Sequence, residues 1–385
     1  MKIAINTTST VAGGGVTYIK NLLTYLSKID ATHQYLILTT LAGKETFYFQ
    51  HPNFTFLPFK LPSISSISRL CWEQVFLPIF LKRKNVDILF SPANMCPLFT
   101  RLPNVVTIQN IEPFSNTVSK GRGFIQNVRL KLLKFLTSLS IKKSQIVIFP
   151  STKARIDAEK SGIVIKRSEV VYHGVNKEIF YPRNEDEMSQ QCTKKYGLDK
   201  FILYVSHIQR YKNFLELIKA FVLLRGKIDD NIQLVFAGRC FDEEYYKEME
   251  AFIKENRYEN QIIFLGNVPY EELPFLYSAC KIFVYPSTCE SFGMTLVEAM
   301  ACGAPILASR MEPMTEICAD AAFYFDPINP AAIAVAMDTI LKDHHRISVM
   351  SEKAQERAKI FSWENTVLNT LKVLESVTQN ARLAP

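Results

Sequence analysis

The chain has 385 residues, 48% of them hydrophobic and 21% charged, and it carries a net charge of +8. That length suits about two domains of ordinary size, and the composition is ordinary for a soluble globular protein. No run of about 18 apolar residues occurs, so no membrane-spanning helix is expected.

The N-terminus and the cysteines bear on the compartment. Residues 1–10 lack the apolar core of a signal peptide, so we expect a cytoplasmic protein, with a peripheral position on the inner face of the membrane as the other option. The eight cysteines show no CxxC pair and no clustering with histidine, so we expect core fillers or free thiols. We therefore predict no structural metal and no cofactor.

The charge is unevenly distributed along the chain. Residues 1–180 hold 23 Lys and Arg against 9 Asp and Glu, and the remaining residues hold 22 against 28. The N-terminal half is therefore the expected face for an anionic partner.

In the first half, short apolar runs alternate with helical patterns. The predicted strands are residues 2–6, 35–39, 54–56, 88–90, 105–108 and 146–149, and the predicted helices include 16–26 and 68–82. This alternation is typical of βα units built around a parallel sheet. Between the first strand and helix stand Gly13, Gly14 and Gly15, which would let the backbone approach a phosphate closely. The loop lacks the GxGxxG spacing of a dinucleotide-binding motif, and a flexible surface loop without a ligand would have a similar sequence.

Residues 120–143 contain seven cations and no acid, interleaved with apolar residues. A basic amphipathic helix of this kind can lie on an anionic membrane surface. It can equally pack on a core with a solvated basic face, and the segment alone does not separate these readings. Nucleic acid is a distant third partner because no known nucleic-acid fold accompanies the patch. The cations are Lys120, Arg122, Arg129, Lys131, Lys134, Lys142 and Lys143.

The second half repeats the βα pattern after a polar run. We predict a first domain at 1–175, a linker at 176–195 and a second domain at 196–362. The predicted strands of the second domain are 201–206, 232–237, 262–265, 282–285 and 306–308. The predicted helices are 214–224, 243–256, 271–279, 330–341 and 348–360, followed by one from 363 onward.

Polar residues follow several of these strands. Arg210 and Lys212 stand between a strand and a helix, a position from which cations reach a diphosphate. An exposed basic turn is the alternative. Asn267 and Val268, just past another strand, could present backbone to a nucleobase.

The stretch 285–309 contains strand, loop, helix and strand, with Glu290 in the loop and Glu298 in the helix. Thr295 and Glu298 have the spacing of a capping box, and Gly303 predicts the helix end. Glu290 can accept hydrogen bonds from sugar hydroxyls, and Glu298 could take a ribose. Without further evidence, Glu290 could equally be a solvated loop residue and Glu298 only a capping partner. Backbone amides near the helix start could hold a phosphate, and their residues are Phe292, Gly293, Met294 and Thr295.

This stretch closely resembles the Glu-x7-Glu signature of retaining GT-B glycosyltransferases, family four, which typically reads PS-x-x-E-G-F-G-L-P-x-x-E-A-M-A-x-G-x-P. The chain departs at Ser291, Met294 and Thr295, where the family often has Gly, Leu and Pro, and it keeps both carboxylates. The resemblance covers most of the chain. It implies an α/β fold of two Rossmann-like domains facing across a cleft, with the helix at 363–380 packing back on the first.

The resemblance also implies roles for the other residues. Gly14 and Gly15 would approach the donor diphosphate or the acceptor, and Lys212 and Arg210 would neutralise the leaving group, although Tyr211 interrupts the Arg-Lys-Asn phrase common in relatives. Where many relatives carry His-Asp, this chain has Gln109 and Asn110 on the acceptor side, which hydrogen-bond but do not titrate near neutrality. An inverting enzyme would need a general base there. A retaining mechanism, in which the leaving phosphate accepts the proton, does not.

The leading hypothesis is a retaining glycosyltransferase that moves a hexosyl unit, such as mannosyl, from a nucleoside diphosphate sugar. The acceptor would be a hydroxyl of a glycan or a polyprenyl-linked molecule in cell-surface polysaccharide synthesis. The absence of an Asp-x-Asp triplet argues against the metal-dependent glycosyltransferase architecture. A dehydrogenase reading fails on the missing GxGxxG. A catalytically silent nucleotide-sugar-binding protein is the alternative, disfavoured by the presence of Glu290, Glu298 and Lys212.

Overall fold

The computed structural model describes residues 1–10, 13–61, 66–115 and 124–383. The chain divides into two compact units. Unit 1 consists of residues 1–174 and the C-terminal residues from 363 onward, and unit 2 consists of residues 175–362. No helix in the described ranges is both long enough and apolar enough to span a bilayer.

Unit 1 is built on a seven-stranded parallel sheet with the order β3-β2-β1-β4-β5-β6-β7. Its strands are β1 (Lys2–Asn6), β2 (Gln34–Thr40), β3 (Phe54–Phe59), β4 (Ile88–Ser91), β5 (Asn104–Thr107), β6 (Ile146–Phe149) and β7 (Ser168–Val170). Its helices up to residue 174 are α1 (Gly14–Ile29), α2 (Leu41–Phe47), α3 (Ser66–Lys82), α4 (Phe124–Lys143) and α5 (Thr152–Lys160). The central strands are almost entirely buried and mostly apolar, as expected for a parallel sheet with helices on both faces.

Unit 2 contains a six-stranded parallel sheet with the order β10-β9-β8-β11-β12-β13. The strands are β8 (Phe201–Val205), β9 (Gln233–Ala237), β10 (Ile262–Phe264), β11 (Ile282–Tyr285), β12 (Ile306–Ser309) and β13 (Ala322–Phe325). The helices are α6 (Glu185–Tyr196), α7 (Phe214–Val222), α8 (Glu243–Asn256), α9 (Leu273–Ala279), α10 (Met294–Ala301), α11 (Met314–Cys318), α12 (Pro330–Leu341) and α13 (His344–Ala358). Two parallel-sheet Rossmann-like units confirm the predicted fold class.

The last helix, α14 (Trp363–Leu383), belongs to unit 1 and packs against α1. Trp363 is fully buried, and its indole lies edge-on to the ring of Tyr18 with centroids 5.6 Å apart. The hydroxyl of Thr366 donates a hydrogen bond to the carbonyl of Tyr172 at 2.8 Å. These contacts attach α14 to the end of the N-terminal part of unit 1.

In the segment predicted as a linker, 176–195, the second half belongs to α6. Asn184 caps α6 by accepting a hydrogen bond from the Glu187 amide, and Gly197 ends the helix in the left-handed conformation with φ 69°. Acids in its first turn and lysines in its last turn complement the helix dipole. The polar composition that indicated a linker was therefore that of a solvent-facing, well-capped helix.

Candidate functional site

The order of strands in unit 2 reverses direction between β8 and β11, which are neighbours in the sheet. Ligands of doubly wound folds bind at such a switch point, outside the carboxyl ends of the two strands. In this unit the loop after β8 carries Lys212, and the loop after β11 carries Glu290. The topology thus brings together two residues that lie 78 positions apart in the chain.

Lys212 and Glu290 form an ion pair in which Lys212 Nζ lies 2.5 Å from Glu290 Oε1. Both side chains are only 11% exposed, so the pair is partly shielded from water. The hydroxyl of Tyr285, at the end of β11, donates to the same carboxylate oxygen at 2.7 Å. Among the described residues nothing bonds Glu290 Oε2, and that oxygen is available to accept a hydroxyl of a ligand.

The two loops are fixed to each other by further hydrogen bonds. Asn213 adopts a left-handed conformation, and its side-chain amide donates to the Pro286 carbonyl at 2.8 Å. The backbone amide and the hydroxyl of Thr288 both donate to the Tyr211 carbonyl at 2.9 Å. The hydroxyl of Tyr204 donates to the Lys212 carbonyl at 3.1 Å. Lys212 and Glu290 are therefore preorganised before any ligand arrives.

Glu298 lies on α10 and is 4% exposed. Tyr277 donates a hydrogen bond to its Oε2 at 3.3 Å. Burial raises the pKa of Glu298 to about 8, against hydrogen bonds from Tyr270 and Tyr277 that lower it. Desolvation of the charged form outweighs those two donors, so the carboxyl is largely neutral at pH 7.

The predicted capping box at Thr295 and Glu298 is wrong. The residue that precedes α10 is Gly293, which has φ 98° and makes no side-chain cap. Only glycine takes this left-handed conformation without strain. The helix begins at Met294, and the amides of Met294 and Thr295 have no acceptor within the helix. Phe292 is buried and packs on Phe361, with ring centroids 5.6 Å apart.

Arg210 does not join the pair of Lys212 and Glu290. Its two terminal nitrogens donate to the Glu248 carboxylate on α8 at 2.8 and 2.6 Å. Its guanidinium also lies 5.0 Å from the centre of the Tyr245 ring. The predicted catalytic role of Arg210 therefore has no support in the position of its side chain.

Asn267 and Val268 follow β10 at the same carboxyl edge of the sheet. The side-chain oxygen of Asn267 accepts a hydrogen bond from Arg239 Nε at 3.0 Å. Val268 stands two residues before Tyr270, which is a partner of Glu298. Asn267 and Val268 thus lie in the loop that leads to Tyr270, a partner of Glu298. Sequence reasoning did not identify Arg239, although it too follows a strand.

In unit 1 the switch point lies between β1 and β4. The glycine loop after β1 is shorter than predicted, because α1 begins at Gly14 and not at Val16. Gly14 and Gly15 form the first turn, and Gly13 precedes it with φ 66°. As at any helix start, the first amides of α1 have no acceptor within the helix.

Gln109 and Asn110 follow β5 and are held by Asn94, in the loop after β4. The side-chain oxygen of Asn94 accepts from the Gln109 and Asn110 amides at 2.9 and 2.8 Å. Its side-chain nitrogen donates to the Asn110 carbonyl at 2.6 Å. The buried side-chain nitrogen of Gln109 has no hydrogen-bond partner among the described residues. This unsatisfied donor is suited to an oxygen of a ligand.

His173 is a structural residue of unit 1. It is buried between Tyr18 and Trp363, with centroid distances of 4.7 and 6.3 Å. Its Nε2 lies 2.8 Å from Gln109 Oε1. Burial lowers the pKa of His173 to about 3, so the ring is neutral and donates to Gln109.

Glu73 is a buried carboxyl that sequence reasoning missed. It lies on α3, is 1% exposed, and places Oε1 2.5 Å from the hydroxyl of Thr8, just past β1. The same hydroxyl is 2.6 Å from Asn6 Oδ1. Burial raises the pKa of Glu73, against hydrogen bonds from Thr8 and Asn6. A useful signal was that Glu73 is the one acid in the apolar sequence of α3.

α4, within the basic segment 120–143, buries one side and exposes apolar residues on another. Val128, Leu132 and Phe135 lie on one stripe and are between 49% and 60% exposed. Lys120 and Arg122 lie outside the described residues. On α3, a second exposed apolar group consists of Val75, Phe76 and Ile79.

α3 and α4 are linked through the loop 96–98. Gln74 of α3 hydrogen-bonds to the backbone of Cys96 and Leu98 at 3.2 and 2.8 Å. The Cys96 amide in turn donates to the hydroxyl of Ser140 on α4 at 3.1 Å.

Two family models match this chain. Residues 12–179 match the model described as Glycosyltransferase Family 4, and residues 185–357 match Glycosyl transferases group 1. The two matches follow the two units. Together they include the glycine loop of unit 1 and the pair of Lys212 and Glu290 in unit 2.

Curated relatives are matched over part of their length. An Escherichia coli O-antigen chain mannosyltransferase B is 32% identical over 172 residues, 44% of each chain. A Campylobacter jejuni N-acetylgalactosamine-N,N'-diacetylbacillosaminyl-diphospho-undecaprenol 4-alpha-N-acetylgalactosaminyltransferase is 27% identical over 248 residues, 63% of each chain. The chain spans less than half the length of the first curated relatives it matches.

Solved structures share the fold over nearly the whole chain. Sucrose-phosphate synthase from Thermosynechococcus elongatus has a TM-score of 0.80 at 19% identity, covering 98% of this chain and 99% of that one. The Anabaena protein HepE in complex with UDP and glucose has a TM-score of 0.77 at 19% identity, covering 98% and 100%.

Proposed function

Since this chain belongs to the GT-B glycosyltransferases, we propose that it transfers a hexosyl unit, with mannosyl as the leading candidate, from a nucleoside diphosphate sugar to a hydroxyl acceptor. The observation that carries this proposal is the preorganised pair of Lys212 and Glu290 at the switch point of unit 2. A cation and a carboxylate side by side suit a ligand that combines a diphosphate with a polyol. The matched mannosyltransferase from Escherichia coli supports the choice of sugar.

In this proposal the donor binds to unit 2. Its diphosphate accepts hydrogen bonds from Lys212 Nζ and from the first amides of α10. A hydroxyl of the sugar donates a hydrogen bond to Glu290 Oε2. When the glycosidic bond breaks, charge accumulates on the diphosphate, and Lys212 is already in place to stabilise it. The nucleoside lies near Asn267, Val268 and Glu298, and the complex of HepE with UDP is in keeping with such a ligand. No metal ion is assigned to the reaction.

We propose that transfer proceeds with retention at the anomeric carbon. An inverting reaction needs a base that removes the proton of the acceptor hydroxyl. At the carboxyl edge of unit 1 the groups after β5 are the amides Gln109 and Asn110, and Glu73 is buried and bonded to Thr8. Neither amide can act as that base, and in this proposal the leaving phosphate is the group that accepts the proton.

The acceptor side is assigned to unit 1. The unsatisfied side-chain nitrogen of Gln109 would donate to an acceptor oxygen, and the first turn of α1, with Gly14 and Gly15, would meet a phosphate of the acceptor or donor. A lipid-linked acceptor fits these groups, and the name of the matched Campylobacter jejuni enzyme contains a diphospho-undecaprenol acceptor. Synthesis of a cell-surface polysaccharide is the corresponding cellular role.

We further propose that α3 and α4 rest on an anionic lipid surface, where such an acceptor resides. Their six exposed apolar residues would enter the bilayer interface, and Arg129, Lys131 and Lys142 would meet lipid phosphates. Residues 46–156 hold 15 cations and 3 acids, so their balance of +12 exceeds the +8 of the whole chain. One of those three acids is the buried Glu73.

Donor and activity are tested together. In a thermal-shift screen of GDP-, UDP- and ADP-sugars, the sugars of one nucleobase should raise the Tm of the protein, because a ligand that binds the native state adds apparent stability. The selected donor should then be hydrolysed slowly without acceptor and transferred with retained configuration to a polyprenyl diphosphate glycan. Binding without any hydrolysis or transfer would favour a silent nucleotide-sugar-binding protein.

The lipid surface is tested with vesicles of phosphatidylglycerol and of phosphatidylcholine. Cosedimentation should require phosphatidylglycerol and weaken as salt rises, because charges are screened within about 10 Å at 0.1 M. The variants Leu132→Gln with Phe135→Gln, and Arg129→Gln with Lys131→Gln, should each lose binding. Leu41→Gln, a change at a similarly exposed residue of α2, should not. Unchanged binding by both double variants would exclude this surface.

A further inference from the structure

His207 lies in the loop after β8, and the proposed function gives it no role. Beyond the end of β8, the Ser206 amide donates to the Ala237 carbonyl and the Ile208 amide donates to the Arg239 carbonyl, both at 2.9 Å. The backbone around His207 therefore continues the pairing of β8 with β9 past both strands. It holds His207 in a fixed position at the carboxyl edge of the sheet.

Gly238 makes this close approach possible. Its φ is 148°, and a Cβ there would lie 1.9 Å from the Ser206 carbonyl oxygen and 3.2 Å from the His207 amide nitrogen. Only glycine can occupy that position without displacing the backbone of His207. The location of the imidazole is thus set by the fold and not by a flexible loop.

The imidazole is largely buried but incompletely bonded. Phe241 lies edge-on to it, with ring centroids 4.8 Å apart. His207 Nδ1 is buried and has no hydrogen-bond partner among the described residues. A buried polar atom without a partner is uncommon in native proteins and calls for an explanation, such as a ligand that the site awaits.

Three charged residues act on His207, each from a different loop. Lys212 lies further along the same loop, Arg239 follows β9, and Glu290 follows β11. Burial lowers the pKa of His207 most, Lys212 and Arg239 lower it further, and Glu290 opposes them. In the free protein the ring is therefore neutral at pH 7.

A diphosphate bound beside Lys212 would reverse this balance, because two negative charges favour the imidazolium. Arg210 is not available for that task while both its terminal nitrogens bind Glu248. We propose that His207 is a donor-binding residue that takes up one proton from solvent when the diphosphate of a nucleotide sugar enters the site of Lys212 and Glu290. This inference rests on the proposed function and adds a pH dependence to it.

The proton can be counted by calorimetry. GDP-mannose and UDP-glucose are titrated at pH 7 in two buffers of different ionisation enthalpy, since their diphosphates carry no group that titrates near neutrality. For the sugar that binds, the wild type should take up more protons than His207→Gln by a substantial fraction of one. Its affinity should fall about tenfold more than that of the variant between pH 6 and pH 9, the difference between a charged and a neutral hydrogen bond.

Matched variants make the outcome specific. His345→Gln, at an exposed histidine of α13, should leave proton uptake unchanged. His207→Arg should bind the donor with no proton uptake at this position. Donor binding by this variant would show that the position tolerates substitution. Repeating the comparison in Glu298→Gln removes a carboxyl of unit 2 whose pKa, about 8, lies close to the pH of the titration.

The possible failures are distinguishable. If the donor binds and His207→Gln takes up as many protons as the wild type, the inference about His207 is wrong and the proposed function stands. If neither nucleotide sugar nor any other in the thermal-shift screen binds, both are wrong. Circular dichroism of each variant confirms that a loss of binding is not a loss of folding.

Discussion

The two units share a strand order around their switch points, but they differ in the chemistry placed there. In unit 2 the loops after β8 and β11 carry Lys212 and Glu290, an ion pair with little exposure. In unit 1 the residues after β4 and β5 are Asn94, Gln109 and Asn110, which hydrogen-bond without charge. The same strand order therefore positions a charged pair in one unit and neutral amides in the other.

This difference follows from what each proposed ligand requires. A leaving diphosphate gains negative charge as its bond breaks and needs a fixed cation. A hydroxyl acceptor needs orientation, which neutral amides provide, and on a retaining path it needs no protein base. Glu73, a buried acid of unit 1, is bonded to the hydroxyl of Thr8.

The largest effect is expected from removing charge in unit 2. Lys212→Ala should lower turnover about 100- to 1000-fold, the usual cost of one preorganised electrostatic contact. Glu290→Gln should also lower turnover far more than donor affinity, because it removes the charge next to the reacting carbon. Steady-state rates with the donor chosen by thermal shift give both values.

A control for this prediction exists in the same unit. Lys281 pairs with Glu185 at 2.7 Å on the surface, and Lys281→Ala should keep wild-type turnover. If Glu290→Gln retained full turnover while Glu298→Gln abolished it at saturating donor, the roles of the two glutamates would be reversed.

The second prediction concerns the neutral site of unit 1. The hydroxyl of Thr8 has one proton, yet it lies within hydrogen-bond distance of both Glu73 and Asn6. A protonated Glu73, favoured by its raised pKa, resolves this by donating to Thr8, which then donates to Asn6. Glu73→Gln should therefore cost less than about 1 kcal/mol, whereas Glu73→Ala leaves buried polar groups unpaired and should cost about 1–3 kcal/mol.

Urea unfolding measures both changes, with Glu45→Ala on the exposed side of α2 as the control within about 0.5 kcal/mol of wild type. Equal losses for Gln and Ala at position 73 would show that the carboxyl is ionised. The contrast between a neutral unit 1 and a charged unit 2 would then no longer hold.

How far the sequence predicted these sites depends on how local each feature is. Lys212 and Glu290 were predicted separately, from their places after strands, and parallel topology brings such places together. Most strands and the long helices were predicted because their apolar pattern is strong. Two short strands were missed: β7 has one apolar residue among its three, whereas the four residues of β13, Ala322–Phe325, are all apolar and did carry a strand signal.

The errors came from long-range contacts and from backbone conformation. The acids of α8 that hold Arg210 stand more than 30 residues away in sequence, so no local pattern shows that pairing. The capping box failed because Gly293, in a left-handed conformation, starts α10 without a side-chain cap. The burial of Glu298 behind Tyr277 is likewise a consequence of packing.

The third prediction uses Glu298, a buried acid of unit 2. The pKa of Glu298 is about 8 in the folded state and 4.5 as a model value, so the folded state holds one more proton between these pH values. Stability should therefore fall as pH rises through that window. The Glu298→Gln variant lacks this pH dependence, and its stability should match that of the wild type near pH 5.

At pH 8.5 the Glu298→Gln variant should have a Tm several degrees higher than the wild type, because each unit of raised pKa lowers wild-type stability by about 1.4 kcal/mol across this window. Scanning calorimetry from pH 5 to pH 8.5 tests this. A wild-type Tm that rises over that range relative to the variant would show that Glu298 is ionised. The Glu298→Gln substitution should lower donor affinity, relative to the wild type, less at pH 6 than at pH 8.5, because the Gln side chain mimics the neutral carboxyl.

The smallest effect is expected from replacing Arg210. This prediction compares two cations of unit 2, Arg210 and Lys212. Its bonds to Glu248 are partly exposed to solvent, with side-chain exposures of 31% and 43%. Such pairs contribute about 0–1 kcal/mol, so Arg210→Gln should change both stability and turnover little. Glu248→Gln separates the two remaining explanations. If Arg210 serves α8 alone, both variants should behave alike; if Glu248 keeps Arg210 from the donor, Glu248→Gln should tighten donor binding. A loss of turnover in Arg210→Gln as large as that in Lys212→Ala would mean that the guanidinium leaves Glu248 when the donor binds.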